Sequence, residues 1–327
     1  MTRAKIIGLG AYAPERILSN HDLEKMVDTT DEWIFSRTGI RERRIAATGE
    51  DTSDMCVNAA AMAFESSGLA ASDIDLIIAA TVTPDYRLPS TSCMIQKKIK
   101  AVNSATMDVV AACAGFIHGL SIAQAYIATG VYRNIMIFGA EKLSSITDYE
   151  DRNTCVLFGD GAGAAILTAA DDDSGILSTY LKSDGNLDRL LHIPGGGTNK
   201  PYGANGNYDR KETLLRMSGN EVFKYAVRHM GDASMRVIKD AGLSPDDIDL
   251  LVPHQANIRI IKATADRLGM PQEKVFMNIE KFGNTSAASV PLALHDAVQQ
   301  GRIKKGDLVL SVAFGGGLTW GAAVIRW

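Results

Sequence analysis

The chain has 327 residues, of which 46% are hydrophobic and 22% are charged, an ordinary globular composition with enough apolar material for two domain-sized units. Its 34 basic and 38 acidic side chains give a formal net charge of −4, which argues against nucleic-acid binding or anionic-membrane binding over the whole surface. No C-x-x-C pair occurs among the four cysteines (Cys56, Cys93, Cys113 and Cys155), so neither a disulfide scaffold nor a metal site is predicted.

Two apolar segments bear on where the protein resides. The N-terminal segment has too short an apolar run for a signal peptide. The 24 residues 109–132 contain no Asp, Glu, Lys or Arg, but they include His118, Gln124 and three glycines. We therefore interpret them as a strand end followed by a core helix rather than a membrane span, and we expect a soluble, cytoplasmic protein.

Short β-branched runs alternate with helical stretches, the pattern of an α/β fold whose strands are buried on both faces. Between the fifth and sixth predicted strands, residues 195–210 are rich in Gly and Asn and are predicted to be either a mobile loop beside a pocket or a plain surface connection. In chain order the predicted strands are Lys5–Leu9, Leu76–Ala80, Thr106–Val110, Asn134–Phe138, Ala164–Thr168, Leu250–Pro253, Leu308–Val312 and Ala322–Ile325.

Two helices in the second half of the chain have clear boundary signals. Ser218 and Glu221 have the spacing of an N-terminal capping box, and Gly242 follows the last turn of the apolar stripe. A second apolar stripe starts at Ile258 and is closed by Gly269. We interpret both stripes as helix surfaces that face the core.

An internal repeat is the most informative feature of the sequence. Gly-Leu followed by Asp-Ile-Asp-Leu-Ile-Ile in residues 68–78 is matched 174 residues later by Gly-Leu and Asp-Ile-Asp-Leu-Leu-Val in residues 242–252. Each copy continues through a strand, a Gly-containing loop, a helix, another strand and a Gly-rich turn, at 159–163 and 315–317. Four matches in the same order predict two similar halves, residues 1–172 and 173–327.

Equivalent loops of two such halves surround one cleft, outside the C-terminal ends of the strands. Cys113 follows the strand that ends at Val110, has small neighbours and precedes an apolar helix whose N-terminus favours a thiolate, the setting of a nucleophile. His254 follows the corresponding strand of the second half, and Asn284 lies in the counterpart of the Cys113 loop. His118 is closer in sequence to Cys113, but we expect it to point along the helix, away from this cleft.

These residues lie in motifs that resemble those of the beta-ketoacyl-acyl-carrier-protein synthase III family, and the resemblance extends over nearly the whole chain. It implies a duplicated thiolase-like fold of the α/β class, with mixed sheets in layered α-β-α-β-α packing. The motifs are DEWI at 31–34, RTGI at 37–40, AACAG at 111–115, PHQAN at 253–257, GNTS at 283–286 and FGGG at 314–317.

The resemblance implies decarboxylative condensation of an acyl-CoA primer with malonyl-acyl carrier protein, which initiates type II fatty acid synthesis. Cys113 would carry the acyl group as a thioester. Nε2–H of a neutral His254 and the amide NH2 of Asn284 would donate to the oxyanion on the malonyl thioester. The backbone N–H groups of Cys113 and Gly316 would form a second oxyanion hole. No cofactor is implied, because acyl-CoA is a substrate, and a homodimer is expected.

The resemblance also implies residues that bind the substrates. Trp33 and Arg152 would sandwich the adenine of CoA, and Arg37 would lie near its phosphates. At Leu88, which would reach across the dimer, acetyl-selective relatives often have a bulkier Phe, so we hypothesise that branched or longer primers fit. The predicted acyl pocket consists of Leu88, Leu157, Phe158 and Met217.

A basic docking site is expected because the carrier protein is acidic. Asp266 interrupts this patch where relatives often have a basic residue, and a solvated helix face is the alternative interpretation for every member except Arg259. The predicted docking residues are Lys224, Arg259, Lys262 and Arg267.

Three alternative functions remain at this point. A related condensing or acyl-transfer enzyme of a specialised-metabolite pathway, making a quinolone or polyketide starter, would use the same Cys113. A dehydrogenase is indicated only by Gly8 and Gly10, because Ala13 replaces the third glycine of a dinucleotide fingerprint. A non-enzymatic carrier-protein scaffold would form no covalent acyl adduct.

Overall fold

The computed structural model describes residues 2–202 and 209–327. The predicted loop at 195–210 therefore lies partly, at 203–208, outside the described residues. Within the described ranges, no helix is both long enough and apolar enough to cross a membrane. The apolar segment 109–132 is a strand end followed by a core helix, as predicted.

Helices and strands alternate in the first half of the chain. In chain order its elements are β1 (Ala4–Tyr12), β2 (Arg16–Ser19), α1 (Asn20–Leu23), α2 (Asp31–Thr38), β3 (Glu42–Ile45), α3 (Thr52–Ser67), β4 (Leu76–Ala80), α4 (Thr91–Ile99), β5 (Ala105–Val109), α5 (Gly115–Ala128), β6 (Ile135–Glu141) and β7 (Gly161–Ala169).

The second half repeats much of this order. Its elements are β8 (Gly175–Ser183), β9 (Leu191–His192), β10 (Arg216–Met217), α6 (Gly219–Asp240), β11 (Leu250–Pro253), α7 (Ile258–Arg267), α8 (Ile279–Phe282), α9 (Ser289–Gln299), β12 (Leu308–Gly315) and β13 (Thr319–Arg326).

Two mixed sheets form the framework. The first has the order β1-β7-β6-β4-β5, in which β4 is parallel to β5 and β6, and β7 is antiparallel to β6 and β1. The second has the order β8-β13-β12-β11, in which β12 is parallel to β11, and β13 is antiparallel to β12 and β8. A parallel bridge between Leu251 and Val275 lies beside β11, at the position of the fifth strand in the first sheet. The predicted division at residue 172 falls between β7 and β8, and it stays a prediction.

The layers follow from which faces the helices cover. Helices α5 and α9 lie between the sheets, where Phe116 and Leu294 share one apolar core with Ile78 of the first sheet and Val252 of the second. Helices α3 and α4 cover the outer face of the first sheet, and α6 and α7 cover the outer face of the second. This arrangement confirms the predicted α-β-α-β-α layers, whose strands are buried on both faces.

Several glycines have a different role from the one that their local sequence indicates. Gly8 and Gly10 lie inside β1, and a Cβ at Gly10 would be 1.9 Å from the carbonyl oxygen of Ala59 on α3. Close helix packing therefore explains this pair, and both glycines lie within a strand rather than in the turn after it, where a dinucleotide fingerprint would have them. Gly163, predicted in a turn, lies in β7, where a Cβ would be 2.6 Å from Pro291 on α9.

The predicted capping box at the start of α6 does not form. Ser218 is the N-cap residue, but its side chain makes no capping hydrogen bond, and its backbone N–H donates to the carbonyl oxygen of Leu190. Glu221 instead accepts a 2.7 Å hydrogen bond from Nζ of Lys224. Gly242, with a φ of +74°, lies just beyond the helix, where the sequence predicted the C-terminal glycine.

Candidate active site

A cavity of about 800 Å³ is lined by residues from both halves of the chain. Its lining includes the buried Cys113, His254 and Asn284, which the sequence analysis expected to converge. The other predicted site residues that line it are Trp33, Arg37, Leu157, Phe158, Met217, Arg259 and Gly316. Leu88, Arg152, Lys224, Lys262 and Arg267 are not part of this lining.

Cys113 lies in a sharp turn between β5 and α5. Ala112 has a φ of +43°, an uncommon conformation for a residue with a side chain, and the chain then enters the helix at Gly115. The end of β12 approaches this turn so closely that a Cβ on Gly315 would be 2.6 Å from the Cys113 nitrogen. The FGGG motif therefore fits the backbone of the second half against the cysteine turn of the first.

The ionisation of Cys113 depends on opposing effects. The pKa of the Cys113 thiol is raised to about 12, chiefly by burial and to a smaller extent by the nearby Glu141 carboxylate. The Ser286 hydroxyl and the Cys113 backbone N–H lower this pKa, but by less than burial raises it. The backbone N–H at the helix N-terminus thus favours the thiolate, but burial outweighs this effect, so the thiol is the stable form in the free protein.

His254 is held as a neutral donor. Its Nδ1 is 2.6 Å from the hydroxyl oxygen of Ser289, and that oxygen accepts the backbone N–H of Gln255 at 3.4 Å. We therefore assign the hydroxyl proton of Ser289 to a hydrogen bond with Nδ1, which leaves the ring proton on Nε2. Burial lowers the pKa of His254 to about 3, so the ring is uncharged at neutral pH.

Asn284 is fixed by its own loop. Its backbone N–H donates to the carbonyl oxygen of Leu157 at 2.9 Å, and its carbonyl accepts from Gly159 at 3.0 Å. The side-chain Oδ1 accepts the backbone N–H of Ser286 at 2.9 Å, which orients the amide so that its NH2 group remains to donate. Gly283 precedes it with a φ of +64°, a conformation that favours glycine.

The residues predicted to bind CoA contact one another. The guanidinium carbons of Arg37 and Arg152 lie 4.8 Å and 4.6 Å from the centre of the Trp33 ring, both at cation–π distance. Nη1 of Arg152 is also 3.6 Å from Asp28. Because Arg152 already occupies the ring, an adenine would have to displace it in order to enter a sandwich between the two side chains.

The predicted acyl-pocket residues are divided between the cavity and the outer surface. Leu157, Phe158 and Met217 line the cavity, whereas Leu88 is 87% exposed. Val110, which also lines the cavity, is 79% exposed and follows β5, the edge strand of its sheet. The predicted place of Leu88 in the pocket of a partner subunit stays a prediction.

The predicted docking cations are not equally available. Lys224 is paired with Glu221, and Arg267 is paired with Asp232 at 2.5 Å. Lys262 is exposed. Arg259 lines the cavity, and its guanidinium carbon lies 5.2 Å from the centre of the Phe223 ring.

Known proteins match this chain over almost all of its length. A family profile described as 3-oxoacyl-[acyl-carrier-protein] synthase III matches residues 107–185, and its C-terminal counterpart matches residues 238–327. A relative from Caldanaerobacter subterraneus, named beta-ketoacyl-[acyl-carrier-protein] synthase III, is 51% identical over 99% of this chain and 98% of its own. The chain belongs to the beta-ketoacyl-acyl-carrier-protein synthase III family.

Solved structures agree with this family. The 3-oxoacyl-[acyl-carrier-protein] synthase III of Aquifex aeolicus superimposes with a TM-score of 0.93 at 49% identity, over 99% of this chain and 100% of that chain. The priming β-ketosynthase of the R1128 polyketide pathway gives a TM-score of 0.93 at 36% identity, over 99% and 96%. The predicted thiolase-like α/β fold and the predicted enzyme class, an acyltransferase-type condensing enzyme, are thereby confirmed.

Sequence reasoning missed three residues around the synthase III site, namely Glu141, Ser286 and Ser289. The internal repeat contained a signal for two of them, because Ser286 lies 174 residues after Ala112 and has the same unusual conformation, with a φ of +49°. The same offset carries Gly115, at the start of α5, to Ser289, at the start of α9. Glu141, at the end of β6, has no such signal.

Proposed function

We propose that this synthase III condenses an acyl group delivered by coenzyme A with malonyl-acyl carrier protein, and so initiates type II fatty acid synthesis. The observation that carries the proposal is the shared cavity, which brings together Cys113, a neutral His254 and an oriented Asn284. The names of the Caldanaerobacter and Aquifex proteins support it. No cofactor is required, because both carbon units arrive as thioesters.

In the first half-reaction the Cys113 sulfur attacks the carbonyl carbon of the acyl-CoA thioester. The bond between that carbon and the CoA sulfur then breaks, leaving an acyl-cysteine. The backbone N–H groups of Cys113 and Gly316 are proposed to stabilise the tetrahedral oxyanion. Their proximity is supported by the close approach of the Gly315 backbone to the Cys113 nitrogen.

In the second half-reaction malonyl-acyl carrier protein loses CO2, and the resulting carbanion attacks the acyl-cysteine. Negative charge develops on the malonyl thioester oxygen, where Nε2–H of His254 and the amide NH2 of Asn284 are proposed to donate. Removing one such donor from an oxyanion site costs about 3 kcal/mol of transition-state stabilisation. The products are a 3-oxoacyl-acyl carrier protein and free Cys113.

The binding residues are proposed from their placement. Trp33, Arg37 and Arg152 form a cationic and aromatic surface suited to the adenine and phosphates of CoA. Arg259 is proposed to dock the acidic carrier protein at the cavity, with Lys262 beside it. Lys224 and Arg267 are proposed to bind acidic groups of the carrier protein after releasing Glu221 and Asp232, the carboxylates that they contact in the free chain.

A homodimer is proposed from the first sheet. Strand β5 has no neighbour at its outer edge in the part of the chain that the structure describes, and such an edge is a template for pairing with a second copy. The exposed Leu88 would then bound the acyl pocket of the partner, together with Leu157, Phe158 and Met217. We propose the cytoplasm as the location, where both CoA and carrier-protein substrates are available.

A second candidate function is the priming of a specialised pathway. The 36% identity to the R1128 priming β-ketosynthase favours it, because the same fold there serves polyketide synthesis. Chemistry at Cys113 would be the same, and the carrier protein that supplies the malonyl group would differ.

Intact-protein mass spectrometry tests the proposal. Wild type and Cys113→Ala would be incubated with acetyl-, isobutyryl- and octanoyl-CoA, and malonyl-acyl carrier protein would then be added. We expect an acyl adduct on wild type alone and its discharge as a 3-oxoacyl product. An adduct on Cys113→Ala, or no wild-type adduct with any of the three, would contradict the acyl-cysteine mechanism.

A further inference from the structure

A buried carboxyl group lies behind the cavity, and the two half-reactions as described do not use it. Glu141 ends β6, is fully buried and forms no ion pair with any residue in the described ranges. Its Oε2 accepts hydrogen bonds from the Thr83 hydroxyl (2.7 Å), the Val82 backbone N–H (3.1 Å) and the Thr81 hydroxyl (3.2 Å). Among the described residues, its Oε1 accepts only from the Ser286 hydroxyl, at 3.1 Å.

Ser286 contacts this carboxyl group and lines the cavity that contains the nucleophile. A carboxylate only accepts hydrogen bonds, so the hydroxyl proton of Ser286 points to Glu141, and its oxygen is left to accept from a donor on the cavity side. Cys113 lines the same cavity as Ser286, and the two turns pack together, since a Cβ on Gly115 would be 3.5 Å from the Cβ of Ala287. The thiol is therefore the donor that the relay would use. The unusual conformation of Ser286, with its backbone N–H on Asn284, holds its hydroxyl against Glu141 at the cavity wall.

The acylation step needs a proton acceptor for Cys113. A buried thiol attacks a thioester effectively only if its proton leaves, and His254 does not accept it, because Nε2 already bears a proton and Nδ1 receives one from Ser289. His118 is turned away, with Nδ1 on the carbonyl oxygen of Ala114 and Nε2 near Thr319. Glu141 is a carboxylate whose hydrogen-bond partner, the Ser286 hydroxyl, belongs to a residue that lines the same cavity as Cys113.

We propose that Ser286 and Glu141 form a proton relay for Cys113, a role that rests on the proposed acyl-cysteine mechanism. As the sulfur–acyl bond forms, the thiol proton moves to Ser286 Oγ, and the Ser286 hydroxyl proton moves to Glu141 Oε1. The sulfur–carbon bond to CoA breaks, and the CoA thiolate takes a proton from water. When the carbanion later expels the Cys113 thiolate, the proton returns from Glu141 through Ser286, so the cycle balances.

The electrostatics of Glu141 suit this role. Burial raises its pKa to about 7, against the opposing effect of its four hydrogen bonds, so it exchanges a proton near neutral pH. The titratable groups that face it are Cys113, from the turn before α5, and Cys56, from α3. Lys142 is adjacent in sequence, but its ammonium group donates to the carbonyl oxygen of Glu50 instead.

The sign of the pH dependence follows. Glu141 accepts a proton only when it is ionised, so the rate of acyl loading should rise as the pH increases through about 7. If Glu141 acted only through its charge, its mutation would change the rate of acyl loading in the opposite direction. Neutralising Glu141 would then lower the pKa of Cys113 and accelerate loading, because the carboxylate now raises that pKa.

The test is the rate of acyl-adduct formation, measured by rapid quenching and intact mass, as a function of pH. The probe is whichever of acetyl-, isobutyryl- and octanoyl-CoA loads wild type fastest. We expect Glu141→Gln to load about 100-fold more slowly above pH about 7 and to lose the rise with pH. Ser286→Ala, which retains Glu141, should show the same loss. Circular dichroism and the thermal midpoint verify that each variant is folded, and Ser286→Ala carries the test if Glu141→Gln is not.

Two controls separate the relay from a structural effect. Ser311→Ala removes a buried hydroxyl that has no hydrogen-bond partner in the described structure. We expect its loading rate to rise with pH as in wild type. Thr83→Val removes a hydrogen bond that lowers the pKa of Glu141 but leaves Ser286 and Glu141 in place. The pH at which the loading rate rises should therefore move higher. Loading by Glu141→Gln at or above the wild-type rate would overturn the relay alone. Absence of any wild-type adduct would overturn the proposed function and the relay together.

Discussion

Replacing Asn284 with Asp tests the proposed oxyanion site while preserving its local structure. Asp keeps an oxygen in place of Oδ1, so the 2.9 Å hydrogen bond from the Ser286 backbone N–H is retained. The NH2 donor is replaced by an acceptor at the point where the malonyl oxyanion develops. Loss of one donor costs about 3 kcal/mol, which is a factor of 100 to 200 in rate, and repulsion between two anions adds to this.

We therefore expect Asn284→Asp to slow condensation by at least about 100-fold and to leave acyl loading within a few-fold of wild type. Loading is followed by intact mass, and condensation by release of the 3-oxoacyl product from pre-loaded enzyme. Below the pKa of the new carboxyl group, its protonated form regains a donor, so condensation should partly recover as the pH falls. A variant that condenses at the wild-type rate, or that loses loading and condensation equally, would refute the oxyanion assignment.

Asn284→Ala is the matched comparison. It removes the donor and also leaves the Ser286 backbone N–H without its acceptor, which costs about 1–3 kcal/mol when such a group is buried. We expect a similar loss of condensation and a thermal midpoint below that of wild type. A midpoint equal to that of wild type would show that the hydrogen bond to Ser286 contributes little to stability.

Three further predictions follow from the same contacts. Ser289→Ala should release His254 from its Nε2–H tautomer and slow condensation by about fivefold, since one such hydrogen bond contributes about 1 kcal/mol. Nitrogen NMR of the imidazole and rescue by Ser289→Thr check this, and an unchanged tautomer would contradict it. Gly315→Ala should impair acyl loading or folding because its Cβ would be 2.6 Å from the Cys113 nitrogen, whereas Gly185→Ala, with no neighbour within 4 Å, should be tolerated in both assays. Leu88→Phe should narrow the primer range toward acetyl-CoA in the mass assay, by about 1–3 kcal/mol of discrimination, and unchanged loading of isobutyryl- and octanoyl-CoA would exclude Leu88 from the pocket.

Much of the fold is readable in the sequence because its signals are local. The strand at Leu76–Ala80 and the stripe of α6 are visible as hydrophobic runs and periodicities. The repeat correctly relates the turn at Ala112 to the turn at Ser286 and so predicts that Cys113 and Asn284 reach one cavity. The edge strand β8 was not predicted.

Other features depend on contacts between segments far apart in the chain. Gly10 has the local context of a nucleotide-binding turn, but the approach of α3 gives it its role. The backbone N–H of Ser218, which a capping box would direct to Glu221, donates instead to the carbonyl oxygen of Leu190. The ionisation of Cys113 is another such case. A helix N-terminus next to a cysteine is visible in the sequence, whereas the burial that raises its pKa depends on how both halves close around it.

The sequence by itself determined the family and the Cys113, His254 and Asn284 motifs, because each motif consists of a few consecutive residues. It also determined the α/β class, because strand and helix patterns are local. Only the tertiary structure decided which proton and hydrogen bond each group has. Ser289 sets the tautomer of His254 from 35 positions away, and Glu141 accepts a hydrogen bond from Ser286, 145 positions further on. Desolvation and hydrogen bonding depend on what surrounds an atom in space, and that is fixed only when the two halves meet.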